Sequence, residues 1–207
     1  MFNYLSNVII SISIFKNTFW LTFAEVISSL LRLFLVIYVI RILGPTEYGK
    51  FAFAFSFVSI MVIFSDLGIV EIITREFSRD SSKEKEFSAV LGLEIVLDVI
   101  AFTLMFIGAF FITQDQNIRH IIWALAIFIL ITSSYQAFSA FLRSRQKMQY
   151  EAGFKIFQAV VMVGLSLGFI YIVPSALNLS YAYLISNILS LVFIVIFFKS
   201  NGYFLSA

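Results

Sequence analysis

Long apolar runs constrain this chain more than any other feature of its sequence. A membrane-spanning α-helix needs about 20 mainly apolar residues. Only 13% of the residues are charged, whereas a typical soluble domain has about 25%. The sequence therefore predicts an all-α integral membrane protein, a bundle of six transmembrane helices. The runs that predict these helices are residues 18–42, 51–73, 88–112, 121–142, 154–173 and 179–198.

Residues 1–17 precede the first run and differ from it in composition. Their apolar stretch from Val8 to Phe15 is short, is interrupted by serines and has no positive charge before it. A secretory signal peptide has a positively charged start and a small-residue cleavage site after its apolar core. We therefore expect residues 1–17 to form a short interfacial segment that lies on the membrane surface.

Lys and Arg are unevenly divided between the two sides of the predicted bundle. If the N-terminus is cytoplasmic, three basic residues fall on the outer side, Arg41, Lys50 and Arg119, and Arg32 lies within a run. The positive-inside rule then predicts a multi-pass protein of the cytoplasmic membrane with both termini in the cytoplasm. The cytoplasmic set is Lys16, Arg75, Arg79, Lys83, Lys85, Arg143, Arg145, Lys147, Lys155 and Lys199.

Polar side chains recur at helical spacing inside three of the apolar runs. In the first run they stand at positions i, i+3, i+4 and i+7, which places them on one face of a helix. Hydrogen bonds between packed helices would explain the hydroxyl and amide groups. The three stripes are Glu25, Ser28, Ser29 and Arg32; Thr132, Gln136, Ser139 and Arg143; and Tyr183, Ser186, Asn187 and Ser190.

Charged side chains inside the runs need a further explanation. Besides Glu25 and Arg32, the second run contains Asp66, and the third contains Glu94 and Asp98 one turn apart. A charge at the middle of a membrane costs roughly 2.5–3.5 kcal/mol even on the mildest scale. We therefore expect a water-filled cavity, or a buried network of ion pairs, between the helices.

The depth of these residues predicts their roles. A cation near the middle of the membrane, beyond a group of carboxylates, suits the capture of an anion coupled to proton or cation movement. An alternative is that Arg32 only neutralises Asp98 or Asp66 and holds helices together. On the first interpretation, substrate binding falls to Arg32, Ser28, Ser29, Gln136 and Asn187, and coupling or gating to Glu25, Asp66, Glu94 and Asp98.

Other kinds of chemistry find little support in the sequence. The chain has no cysteine and one histidine, His120, whereas a zinc site needs three or four ligands. His120 with Asp115 in a short outer loop is a poor basis for general acid–base catalysis. We expect no catalytic residues, no metal, no cofactor and no nucleic-acid partner.

The stretch from Arg41 to Asp80 carries a recognisable pattern. It contains an arginine, a Leu-Gly-Pro triplet, an acidic residue, Tyr-Gly, a phenylalanine-rich span, Asp-x-Gly and a Thr-Arg run. With the preceding KNTFW, this pattern resembles the polysaccharide (O-antigen or lipid-linked oligosaccharide) flippases of the multidrug/oligosaccharidyl-lipid/polysaccharide exporter superfamily. The residues that carry the resemblance are Arg41, Leu43, Gly44, Pro45, Glu47, Tyr48, Gly49, Asp66, Gly68, Thr74, Arg75, Ser78 and Arg79.

The resemblance implies a transporter of the bacterial or archaeal inner membrane. Such proteins move a polyprenyl-(pyro)phosphate-linked oligosaccharide to the outer leaflet by alternating access between two similar lobes. The chain would be the N-terminal lobe, and its partners would be the lipid-linked oligosaccharide, membrane lipid and a second six-helix lobe. The alternatives are a multidrug or cation-coupled exporter of the same superfamily, a membrane-embedded enzyme of glycan assembly, or an inert scaffold subunit.

Overall fold

The fold is helical throughout the part of the chain that the structure describes. The computed structural model describes residues 2–62, 68–79 and 86–201, with side chains from Lys16 onward. Within these ranges it contains six helices and no strand, which confirms the predicted all-α class. The helices are α1 (Phe2–Val62), α2 (Ile69–Arg79), α3 (Phe87–Ile112), α4 (Gln116–Ser144), α5 (Met148–Ile172) and α6 (Ala176–Ser200).

Helix α1 folds back on itself at Gly44. This residue has φ 73° and ψ 172°, a conformation outside the helical region that is essentially restricted to glycine. Pro45 follows at the first position of the second limb, where a proline costs no hydrogen bond. Arg32 in the first limb and Phe55 in the second line the same cavity, although a straight helix would hold them about 35 Å apart. The limbs therefore lie side by side.

Five helices are long and apolar enough to span a membrane: α3, α4, α5, α6 and the part of α1 from Lys16 to Val62. Because α1 reverses at Gly44, its two limbs make two of the passes. Many apolar side chains face outward on these helices, among them Leu30, Val96 and Ile196, each more than half exposed. The chain is a multi-pass membrane protein.

The second predicted run differs from the structure. Residues 51–73 read as one span, but the second limb of α1 ends at Val62 and α2 begins at Ile69. Helix α2 is about 16 Å long, too short to cross a bilayer. It buries Ile69, Ile73 and Phe77 on one face and is therefore amphipathic. At the other end of the chain, no break separates residues 2–17 from the first limb of α1.

The helices connect at two opposite ends of the bundle. Gly44, the α3–α4 connection and the α5–α6 connection lie at the turn end, where the backbone N–H of Ala176 donates to Glu47 Oε2 at 3.1 Å. The α4–α5 connection, with Arg145 and Lys147, lies at the basic end.

Two apolar clusters hold the bundle together. One is mainly aliphatic and joins both limbs of α1 to α3, α4, α5 and α6 through residues such as Leu35, Met105 and Leu125, each fully buried. The other, toward the basic end, is aromatic. Its ring centroids lie 4.7 Å apart for Phe87 and Phe141 and 4.9 Å apart for Phe138 and Phe198.

Candidate functional site

A central cavity of about 590 Å³ opens between α1, α4, α5 and α6. A side cavity of about 300 Å³ adjoins it, because Phe55, Phe128, Thr132 and Gln136 line both. Aromatic rings form part of the wall of the central cavity, where the centroids of Phe51 and Tyr183 lie 5.2 Å apart. Arg32, Arg143 and Lys155 bring positive charge to it. The stripe of the fourth run, Thr132, Gln136, Ser139 and Arg143, thus meets Arg32 of the first run in one cavity.

Arg32 pairs with Glu25 on its own helix face. The Arg32 guanidinium donates to Glu25 Oε1 at 3.0 Å and to Ser29 Oγ at 3.1 Å. Ser29 Oγ donates to the same Glu25 oxygen at 3.1 Å. Lys155 of α5 donates to the second oxygen, Glu25 Oε2. The predicted spacing therefore makes a real cluster, and its fourth member comes from a distant part of the chain.

A second ion pair stands at the basic end of the cavity. Arg143 of α4 donates to Glu151 of α5 through Nη2 at 2.5 Å and through Nε at 3.3 Å. This two-point pairing fixes the geometry of both groups. The Glu151 side chain is only 8% exposed, so the pair ties α4 to α5 across their short connection.

Asn187 lies behind the cavity wall rather than in the cavity. It is fully buried, and its amide nitrogen donates to the Phe128 carbonyl at 3.1 Å and to Thr132 Oγ1. Its amide oxygen accepts from Gln158 Nε2. Thr132 and Gln158 both line the cavity, so Asn187 fixes the orientation of two groups that face it.

The other residues assigned to substrate binding lie in different parts of the structure. Gln136 lines both cavities. Ser28 is fully buried where α1 meets α5, with its hydroxyl 3.5 Å from the Lys155 carbonyl oxygen that accepts from it. Ser29 belongs to the Glu25 cluster. Arg32 and Gln136 are therefore the two of this set that reach the central cavity.

Two of the acidic residues assigned to coupling, Glu94 and Asp98, are buried on α3. Glu94 of α3 is 4% exposed, lines the side cavity and accepts a hydrogen bond from Ser133 Oγ at 2.6 Å. Asp98 is 5% exposed and is not among the described residues that line either cavity. Asp66 lies outside the described residues. Arg32 is thus paired with Glu25.

Sequence reasoning missed the contribution of α5. Glu151, Lys155, Gln158 and Met162 all line the cavity, yet none of them belongs to the three predicted stripes. Their spacing of i, i+4, i+7 and i+11 is that of one helix face. Applying the same periodicity beyond the apolar limits of the fifth run would have found this face.

The charges around the central cavity favour an anion. Three cations, Arg32, Arg143 and Lys155, stand against two carboxylates, Glu25 and Glu151. Guanidinium groups and ammonium groups bind phosphate oxygens through charge-assisted hydrogen bonds. The aromatic and aliphatic walls lower the local dielectric and strengthen such contacts.

Comparison with protein families gives a match over most of the chain. Residues 14–207 match the model of a family described as polysaccharide biosynthesis protein. The comparison with curated proteins and the comparison with solved structures find no match.

Proposed function

This chain belongs to the polysaccharide biosynthesis protein family, and from that premise we propose that it translocates a polyprenyl-(pyro)phosphate-linked oligosaccharide across the cytoplasmic membrane by alternating access. Membership gives the chain a role in polysaccharide biosynthesis. The step, the substrate and the mechanism are the proposal. The observation that carries it is the central cavity, a cationic chamber between apolar membrane helices, with Arg32 on its wall.

Arg32 is the residue best placed to hold the substrate's head group. It lies about 18 Å along α1 from Gly44, near the middle of a hydrocarbon core about 30 Å thick. A guanidinium is always charged and grips a phosphate through two parallel hydrogen bonds. The polyprenyl tail would remain in lipid while the (pyro)phosphate and the sugars occupy the cavity.

The exposure of Arg32 supports a second wall of the central cavity, supplied by another protein lobe. Its side chain is 44% exposed at a depth where charged side chains face protein or a water-filled cavity rather than lipid. The face of α1 that carries Ser29 and Arg32 would therefore border such a surface. We propose that a second six-helix lobe lies against this face of α1 and closes the central cavity from the other side. Alternating access follows when one lobe rocks against the other around the shared site.

A double substitution separates substrate binding from a purely structural role of Arg32. Replacing both partners of an ion pair by apolar residues is often neutral or stabilising. If the pair serves only structure, Arg32→Met with Glu25→Leu keeps translocation. If Arg32 holds substrate, the double variant inserts at normal levels but fails to translocate, and Arg32→Lys keeps part of the activity.

The measurement is the labelling of lipid-linked oligosaccharide by an impermeant lectin on spheroplasts of cells that depend on this protein. Lys50→Met is the matched control, because it removes an ion pair with Glu47 at the turn end, outside the set of residues that line the cavity. Full labelling in the Arg32→Met, Glu25→Leu variant would exclude substrate binding by Arg32.

A further inference from the structure

The Glu25 carboxylate bonds two of the three cations that line the central cavity. One of its oxygens accepts from Arg32 and the other from Lys155. Both cations line the central cavity, and they come from helices α1 and α5. A phosphate group held by the same two cations would offer them two oxygens in the same way.

The two carboxylates beside the cavity differ in how readily they can leave their cations. Glu151 is 8% exposed and makes two hydrogen bonds to one arginine. Separating Glu151 from Arg143 would leave a nearly buried carboxylate without its cation, which costs free energy. Glu25 is 50% exposed and lies on the part of α1 that leads away from the turn end. Its carboxylate can therefore exchange these cations for water.

We propose that Glu25 is an internal substitute for the substrate's phosphate, holding Arg32 and Lys155 in the empty cavity and giving them up when the phosphate binds. This inference rests on the proposed function, since it concerns the same cavity and the same ligand chemistry. The exchange needs no covalent step. Arg32 and Lys155 keep an anionic partner throughout, so neither is left unpaired during the cycle.

Two consequences follow for the mechanism. A ligand must bind Arg32 and Lys155 more strongly than the Glu25 carboxylate does. The site therefore selects a multiply charged group such as a pyrophosphate over a single carboxylate. The bridge also joins α1 to α5. When Glu25 leaves Lys155, the phosphate held by Arg32 and Lys155 replaces the carboxylate as the link between the first limb of α1 and α5.

The first test measures the affinity of the purified full chain for inorganic pyrophosphate by titration calorimetry in detergent. Glu25→Gln removes the competing charge, and we expect binding to tighten on the order of tenfold, as when one charge-assisted contact no longer has to be broken. Glu151→Gln is the matched control for a change of net charge alone. A smaller gain in Glu151→Gln supports the exchange, and an equal gain overturns it.

The second test uses the unaltered chain and so does not depend on how a variant folds. A water-soluble carbodiimide joins a carboxylate to an amine that touches it, and mass spectrometry quantifies the Glu25–Lys155 product. Glu47 and Lys50, 2.5 Å apart, form the internal reference because any effect of pyrophosphate on the reagent lowers both products equally. We expect pyrophosphate to lower the Glu25–Lys155 product alone.

The two tests distinguish failure of the exchange from failure of the site. If wild type and Glu25→Gln bind pyrophosphate equally and the cross-link is unchanged, the exchange is overturned. In that case, weaker pyrophosphate binding by the Arg32→Ala variant than by wild type would still support an anion site at Arg32. If no form of the chain binds pyrophosphate, the anion site and the exchange fall together.

Discussion

Asn187 joins three helices through one side chain at the wall of the central cavity. Its contacts reach Phe128 and Thr132 on α4 and Gln158 on α5. Each polar group that faces a dry interior must find such a partner, because water is not available to replace it. The order of the cavity wall therefore depends on a residue that does not itself line the cavity.

Asn187→Leu tests this dependence. Leucine has a similar volume but leaves Gln158 Nε2 without its acceptor and Thr132 Oγ1 without its donor. We expect a loss of about 1–2 kcal/mol in the free energy of unfolding, the range for hydrogen bonds between membrane helices, measured by denaturation in mixed micelles. Asn178→Leu is the control, because this side chain bonds only the exposed Val173 carbonyl at the turn end. Equal losses in both variants would contradict the role of Asn187.

At the residue scale, the sequence predicts contacts within a helix better than contacts between helices. Periodicity places Glu25, Ser29 and Arg32 on one face, and the structure bonds them together. The partnership of Glu25 with Lys155 spans 130 residues and depends on how α1 packs against α5. No local pattern carries that information.

Helix α1 depends on a single residue for its reversal. An alanine side chain at Gly44 would meet no atom within 4 Å, so crowding does not explain the glycine. The backbone conformation does, because L-residues avoid positive φ with ψ near 180° at a cost of about 1–3 kcal/mol.

Gly44→Ala and Gly49→Ala form a matched pair that isolates this effect. Both sites have open space around the added carbon, but Gly49 is helical. Gly44→Ala should lower the midpoint of thermal unfolding in detergent, and Gly49→Ala should leave it unchanged or raise it by the equivalent of about 0.5–1 kcal/mol. A Gly44→Ala variant as stable as wild type would show that the turn tolerates other conformations.

At the scale of elements, length and hydropathy predict long apolar helices but not where a helix breaks. Residues 51–73 look continuous in hydropathy, yet α2 is a separate amphipathic helix that turns Ile69, Ile73 and Phe77 toward the bundle. Gly68, at φ 78°, marks the start of α2. The signal in the sequence is a glycine after an apolar stretch, and Gly68 also belongs to the pattern that carries the family resemblance.

For the whole molecule, the direction of insertion remains a prediction from charge. Ten basic residues against three place both termini in the cytoplasm. A reporter that is active only outside the cytoplasm should give a signal when fused at Asp115 and none at Asn201. Signal at Asn201 alone would reverse the orientation.

The proposed second wall makes a prediction about transport. The described helices provide one side of the central cavity, with Arg32 partly exposed on α1. We expect this polypeptide alone, in liposomes that contain lipid-linked oligosaccharide, to insert and fold without translocating the lipid. Co-reconstitution with a second lobe should restore translocation. Translocation by the lone chain as a monomer would remove the need for a second lobe.

The reversal at Gly44 also bears on how the protein is made. Carrying a polar connection through hydrocarbon is the costly step when a pair of helices is inserted. Here the connection is one glycine, and Glu47 and Lys50 beyond it neutralise each other. Apart from Arg41, little that is strongly hydrophilic lies next to the turn, so both limbs can leave the ribosome and enter the bilayer together as a helical hairpin. The turn at Gly44, which brings two walls of the cavity together, therefore also favours the membrane insertion of the two limbs of α1.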